Sequence, residues 1–252
     1  MRTGSPYSPA YTFGPGALTP AVRALVIANV AVYLVTFVVP SLSEPLTLTF
    51  GLIPAAVVQR LWIWQVVTYM FLHGGLFHIL FNMLALWMFG VELERMWGTR
   101  FFVQYYFVAG LGAAATTILL SLLPFEFSDI LYRSVTIGAS GAVYGLLLAY
   151  GLYFPDRPIY IYMVFPIPAK YFVLIIGAIS FLSSVSGSGG GVAHAAHLGG
   201  LLSGYLYLKT GRGHPLIELR YRWSKWKLAR SRGKFEVHKG GRGGGPPDRW
   251  VH

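Results

Sequence analysis

The chain has 252 residues, 55% of them hydrophobic and 12% charged, with a formal net charge of +11. A soluble domain carries roughly 25% charged residues, and the mean hydropathy here is +0.56, so most of the chain belongs in lipid. There is no cysteine, which excludes a disulfide framework, thiolate chemistry and a cysteine metal site. The basic excess would suggest nucleic acid in a soluble protein, but here its distribution along the chain matters more.

Residues 1–18, rich in Pro, Ser, Gly and Tyr, read as a flexible lead. Six apolar runs approach the roughly 20 residues a spanning helix needs: Thr19–Val39, Leu76–Met96, Arg100–Leu123, Gly138–Phe154, Ala169–Ser184 and Gly191–Leu208. The first lacks a basic n-region joined to a short apolar core, so it reads as an uncleaved anchor. The loop Pro40–Gly75 contains "RLWIWQVVTYMF", Arg60–Phe71, whose tryptophans favour the headgroup boundary; the loop is expected to be half-embedded. The second run ends in a charged turn, "VELERMWGTR", Val91–Arg100. The fourth and fifth runs are short and broken by small residues, which suits helices sheltered by protein. "SSVSGSGGG", Ser183–Gly191, reads as a mobile lid. Residues 209–252 form a basic tail that either lies on anionic lipid through its basic and aromatic residues or is disordered and only enforces topology.

Lysine and arginine set the orientation. With the N-terminus inside, 18 of the 20 basic residues fall on the inner side, twelve of them from Lys209 onward, and only Arg60 and Arg133 fall outside. Both termini are therefore expected in the cytoplasm. The absence of a transit-like leader and the compact core point to a bacterial or archaeal plasma membrane.

Polar groups inside spans are expensive and usually functional. His214, His238 and His252 lie in the tail, whereas His73, His78, His194 and His197 lie at or within spans. On this topology Ser140 (run four), His78 and Asn82 (run two) and His197 (run six) converge at one depth below the outer face. His78 and Asn82 share a helix face, as do Ser140 and Tyr144, and His197, Gly200 and Gly204 form one stripe. Gly141 and Gly145 make a small-xxx-small pair that lets a neighbouring helix approach, bringing the Ser140 hydroxyl within reach of an imidazole. A serine hydroxyl is a weak nucleophile without an adjacent base. His197 is the candidate base, and the Ser140 backbone N–H, His78 and Asn82 are candidate oxyanion donors. None of the nine acidic residues lies in runs four or six near this pair, so the expectation is a dyad, with Tyr144 orienting the imidazole by stacking. Against this stand blander roles: packing filler for Ser140 and a helix-bridging hydrogen bond for His78 and Asn82. His73 and His194 are expected to be structural.

"HGGLFHILFN" (His73–Asn82), "ELERMWGTRFFVQYY" (Glu92–Tyr106), "GASGAVYG" (Gly138–Gly145) and "AHLGGLLSG" (Ala196–Gly204) occur in that order. With them the chain resembles the rhomboid intramembrane serine proteases from about Val22 to Leu208. The resemblance implies an all-α, six-transmembrane-helix bundle over residues 19–208. It further implies cleavage of membrane-protein substrates in or beside their transmembrane segments. Ser140 would be the nucleophile, His197 the base, His78 and Asn82 the oxyanion donors, and Glu94 and Arg95 a structural turn. No cofactor, metal or nucleic acid is expected; the partners are membrane proteins and the bilayer.

Three rival readings compete with this one. His194 and His197 could bind a cation with His78, but there is no H-E-x-x-H and no carboxylate at that depth. A non-catalytic rhomboid-like protein that binds membrane proteins would be marked by loss of the serine or the histidine, and both are present. A small transporter would more often show paired, broken halves.

Overall fold

The computed structural model describes residues 14–124, 126–161, 165–185 and 191–210. The basic tail beyond residue 210 with its three histidines, residues 1–13 of the lead, and residues 186–190 of the expected lid lie outside the described residues.

Helix α1 (Pro20–Val38) starts with proline in its first turn, where the missing N–H costs nothing. The Thr19 side chain makes no capping bond to its own helix. The carboxylate of Glu94, in the last turn of α5 (Leu76–Trp97), does that work instead. It accepts the N–H groups of Ala21 at 2.9 Å and Val22 at 3.0 Å, the Thr99 hydroxyl at 2.7 Å, and the Thr19 hydroxyl. Just ahead of α1, residues 14–18 of the expected flexible lead are held against α5. Trp87 Nε1 donates to Gly16 O at 2.9 Å, and the Arg95 guanidinium donates to the carbonyls of Pro15 and Ala17.

The loop that follows is built of short pieces: a 3₁₀ turn at Pro40–Leu42, α2 (Ser43–Phe50), α3 (Pro54–Arg60), α4 (Gln65–Thr68) and a second 3₁₀ turn at Tyr69–Phe71. Buried Gln65 ties them together, accepting the Ile53 N–H at 3.0 Å and donating to the carbonyls of Leu48 and Thr49. Leu61, Ile63 and Trp64 are exposed, as suits a segment lying partly in lipid.

α6 (Thr99–Ser121) is followed by α7 (Glu126–Arg133), α8 (Ser140–Tyr153), strands β1 (Pro158–Ile161) and β2 (Phe165–Pro168), α9 (Ala169–Val185) and α10 (Gly191–Lys209). Among the described residues, α1, α5 and α6 are long and apolar enough to cross a membrane, and α8 and α9 are shorter apolar helices. At 14 residues, α8 is about 21 Å long at ~1.5 Å per residue, against about 30 Å of hydrocarbon. It is enclosed by α5, α6, α9 and α10. The antiparallel β1–β2 pair, with Ile159 opposite Ile167, was not expected in an all-α chain. Prolines 155, 158, 166 and 168 explain it, because each removes a helical donor and biases its predecessor toward extended backbone.

Candidate active site

The segment before α8 is fixed from two sides. Leu52 and Thr136 exchange both backbone hydrogen bonds, at 2.9 and 2.8 Å, and the Gly138 N–H donates to Tyr69 O at 2.9 Å. Gly138 then turns with φ +118°, and a Cβ there would lie 2.6 Å from His78 Nε2. Only glycine satisfies both the backbone sign and the close approach. Ser140 is the first residue of α8, so its N–H has no carbonyl partner within the helix.

α10 crosses α8 at near-contact distance. A Cβ on Gly200 would sit 1.9 Å from Gly141 O. This approach brings His197 Nε2 to 2.8 Å from Ser140 Oγ. The His197 ring lies flat on Tyr144, with centroids 4.1 Å apart and planes 10° from parallel. Its Nδ1 has no hydrogen-bond partner among the described residues. His194 presents an edge to the same ring at 5.7 Å. The other glycines divide differently from the expectation. Gly141 and Gly145 open mainly onto α6, where a Cβ would meet those of Ala113 and Ala109 at 2.6 and 2.5 Å. Gly204 makes room for the Tyr105 hydroxyl, 2.5 Å from a Cβ there. The small residues of α8 therefore serve two neighbours, and Gly200 carries the α8–α10 contact.

From the other side, His78 and Asn82 of α5 line a cavity of about 380 Å³ together with Ser140 and Tyr144. Phe77, Phe81, Val143, Leu147, Phe172 and Ile176 make its apolar walls. His78 Nδ1 accepts the Gly74 N–H at 3.4 Å, which leaves the hydrogen of a neutral ring on Nε2. Asn82 donates one amide hydrogen to His78 O at 2.8 Å and keeps its second. His73 packs edge-on against His78 at 4.9 Å. Among the described residues no group of three or more His, Asp or Glu is arranged to hold a metal ion.

At the far end of α8, Arg157 pairs with Glu92 of α5. Burial opposes the guanidinium charge, but the Glu92 carboxylate and Tyr150 outweigh it, so its pKa is raised above the ordinary value.

Two residues here were not singled out from the sequence. Gly138 could have been, since a glycine two residues before a helix start commonly marks a special φ. Ser180 of α9 could not: its hydroxyl donates to the Tyr144 hydroxyl at 3.2 Å across 36 residues of chain.

Comparison with known proteins supports the family resemblance. A rhomboid domain model matches residues 60–213. Rhomboid protease AarA of Providencia stuartii is 30% identical over 210 residues, covering 78% of this chain and 73% of its own length. Mitochondrial rhomboid protein 1 of Saccharomyces cerevisiae is 35% identical over 144 residues, 54% of this chain. Rhomboid protease GluP of Bacillus subtilis is 32% identical over 144 residues, 56% of this chain. The chain spans only 38% and 25% of the lengths of the yeast and Bacillus proteins. With its long apolar helices, the chain is an integral membrane protein and belongs to the rhomboid family.

Proposed function

We propose that the chain is a serine endopeptidase that cuts membrane-protein substrates within or beside their transmembrane segments. Relatives named rhomboid proteases support the protease class. The observation that carries the residue assignment is the 2.8 Å hydrogen bond between Ser140 Oγ and His197 Nε2.

In this reading Ser140 Oγ attacks the scissile carbonyl carbon while His197 Nε2 takes its proton. The oxyanion is met by the Ser140 N–H, His78 Nε2–H and the free amide hydrogen of Asn82. As the C–N bond breaks, His197 returns the proton to the leaving amine, and water then hydrolyses the acyl-enzyme with the same base. The substrate must unwind locally, because helical carbonyls are already bonded. Tyr144 keeps the imidazole in plane by stacking, and no cofactor enters the cycle. The protease unit comprises six spans, with α8, α9 and α10 added to the three long helices. Both termini face the cytoplasm of a prokaryotic cell.

The test is cleavage of a single-span substrate in liposomes by wild type, Ser140→Ala and His197→Ala, with a chelator control. Wild type cleaves, both variants are inert, and chelator has no effect. Full activity in Ser140→Ala would end the dyad assignment. Binding without cleavage by wild type would instead favour a non-catalytic rhomboid-like binding protein.

A further inference from the structure

Ser180 is a buried hydroxyl in an apolar helix. It has no exposed surface, and it follows Phe172 and Ile176 at intervals of four, so all three share the α9 face that closes the cavity wall. A buried hydroxyl without a partner is costly. Membrane serines commonly solve this by bonding the carbonyl four residues back in their own helix. Ser180 bonds across to α8 instead, to the Tyr144 hydroxyl. Tyr144 is the ring on which His197 lies, and His197 is bonded to Ser140. A single chain of contacts thus runs from α9 through α8 to α10 and back to the candidate nucleophile.

We propose that Ser180 is a positioning residue for the hydrolytic reaction: its hydrogen bond fixes where the Tyr144 ring sits, and through that ring the position of the His197 base. This rests on the serine-protease reading above. The Tyr144 ring otherwise has a freedom to slide that stacking alone resists weakly, since sliding one ring over another costs little until overlap is lost. The Oη anchor leaves the ring free to turn about its own axis, which the stacking resists, but stops it sliding. Because the anchor sits on α9 and the ring on α8, the base is held in place only while α9 is seated. Displacement of α9 releases Tyr144 and loosens His197 in the same movement. The nucleophile is then activated only once α9 has returned.

The experiment uses the full chain in liposomes with two readouts: cleavage of a single-span substrate, and the rate at which a fluorophosphonate labels Ser140. The second reports nucleophile activation without a transmembrane substrate. Ser180→Ala and Tyr144→Phe each lower kcat roughly three- to tenfold, the size expected for one buried hydrogen bond, with KM unchanged. Labelling slows by the same factor. The double variant is no slower than the slower single one, and Ser180→Thr, which keeps the hydroxyl, regains most of the loss. If Ser180→Ala folds poorly, Tyr144→Phe carries the test, because it removes the same bond while keeping the ring. Wild-type kcat and labelling in Ser180→Ala overturn the inference. So do losses that multiply in the double variant, or a rise in KM alone, which would make Ser180 only cavity wall. If wild type neither cleaves nor is labelled, the protease reading itself falls and takes this inference with it. An active wild type with a silent Ser180→Ala removes the inference alone.

Discussion

Gly200→Ala tests the geometry on which the proposed Ser140–His197 dyad depends without touching a reacting group. The added Cβ would lie 1.9 Å from Gly141 O, 2.7 Å from Gly141 C and 3.2 Å from Gly141 Cα. These are backbone atoms of α8, so no side chain can rotate away. Ordinary contact begins at 3.4 Å, and relieving the clash separates the helices by about 1.5 Å unless the approach is redirected; overpacking of this kind costs roughly 1–3 kcal/mol. His197 lies one turn before Gly200 on the same stripe, and Ser140 is adjacent to Gly141. The shift therefore passes almost whole into the 2.8 Å dyad bond and carries it beyond hydrogen-bond range. A misplacement of about 1 Å can cost on the order of 10²-fold in rate, so at least that loss is expected in substrate cleavage, with parallel loss of fluorophosphonate labelling. Gly177→Ala on α9 is the control, because its Cβ would meet Leu201 at an ordinary 3.7 Å; it keeps wild-type activity. If Gly200→Ala retains more than about a third of wild-type cleavage, α8 and α10 are not held at the distance that sets the dyad, and the reasoning is refuted.

Glu94→Gln turns one acceptor oxygen into a donor facing the N–H of either Ala21 or Val22, since Oε1 accepts the first and Oε2 the second. About 2–4 kcal/mol of stability is expected to go, read as a lowered unfolding midpoint in detergent. A change under about 0.5 kcal/mol would mean that α1 is capped another way. Asn82→Ala removes a proposed oxyanion donor and should lower kcat by roughly 10- to 10³-fold with little change in KM; a selective rise in KM would assign Asn82 to substrate binding. Arg157→Met, by contrast, breaks an ion pair whose arginine side chain is 49% exposed. It should cost no more than about 1 kcal/mol, and a larger loss in thermal unfolding would show that the pair organises the α8–β1 turn. Single cysteines, introduced into this cysteine-free chain at Ser8 and near residue 240, should react with an impermeant thiol reagent only after cells are opened. Labelling of intact cells at either position would overturn the proposed topology.

Much of this was written in the sequence because membrane burial and helical spacing are local signals. The runs Leu76–Met96 and Ala169–Ser184 end within one residue of α5 and α9. The histidines and the serine stood out because a polar side chain in an apolar run needs a reason. What was hidden depends on partners distant in the chain. Glu94 looked like part of a charged turn, yet its work is to cap a helix that begins 74 residues earlier. Gln65 carries no such signal in the sequence, yet it is fully buried and gathers α2, α3 and α4. The small-xxx-small pair of α8 faces two helices at once, Gly141 and Gly145 meeting Ala113 and Ala109 of α6 and, further off, the carbonyls of Ala196 and Gly200 on α10. Spacing identifies a face; it does not say which neighbour covers it.

The same dependence on partners explains how the proposed base can work with no acid at Nδ1 among the described residues. A carboxylate in the seam between α8 and α10 would be a buried charge, with a desolvation penalty of several kcal/mol before any orienting benefit. Packing can supply the orientation without that penalty. Gly200 sets the helix separation, the Tyr144 face sets the ring plane, and Ser180 is proposed to hold Tyr144. Each of these is neutral, so none needs a counter-ion in lipid. The consequence is rigidity by contact rather than by charge. An ionic triad member can be neutralised while the fold stays intact, but a packing contact in this seam cannot be loosened without moving the helices that carry Ser140 and His197. Stability and kcat should therefore fall together in Gly200→Ala, the substitution that falls directly on the α8–α10 contact. A seam variant that unfolds earlier yet cleaves at the wild-type rate would show that the dyad is held by something other than the packing of α8 on α10.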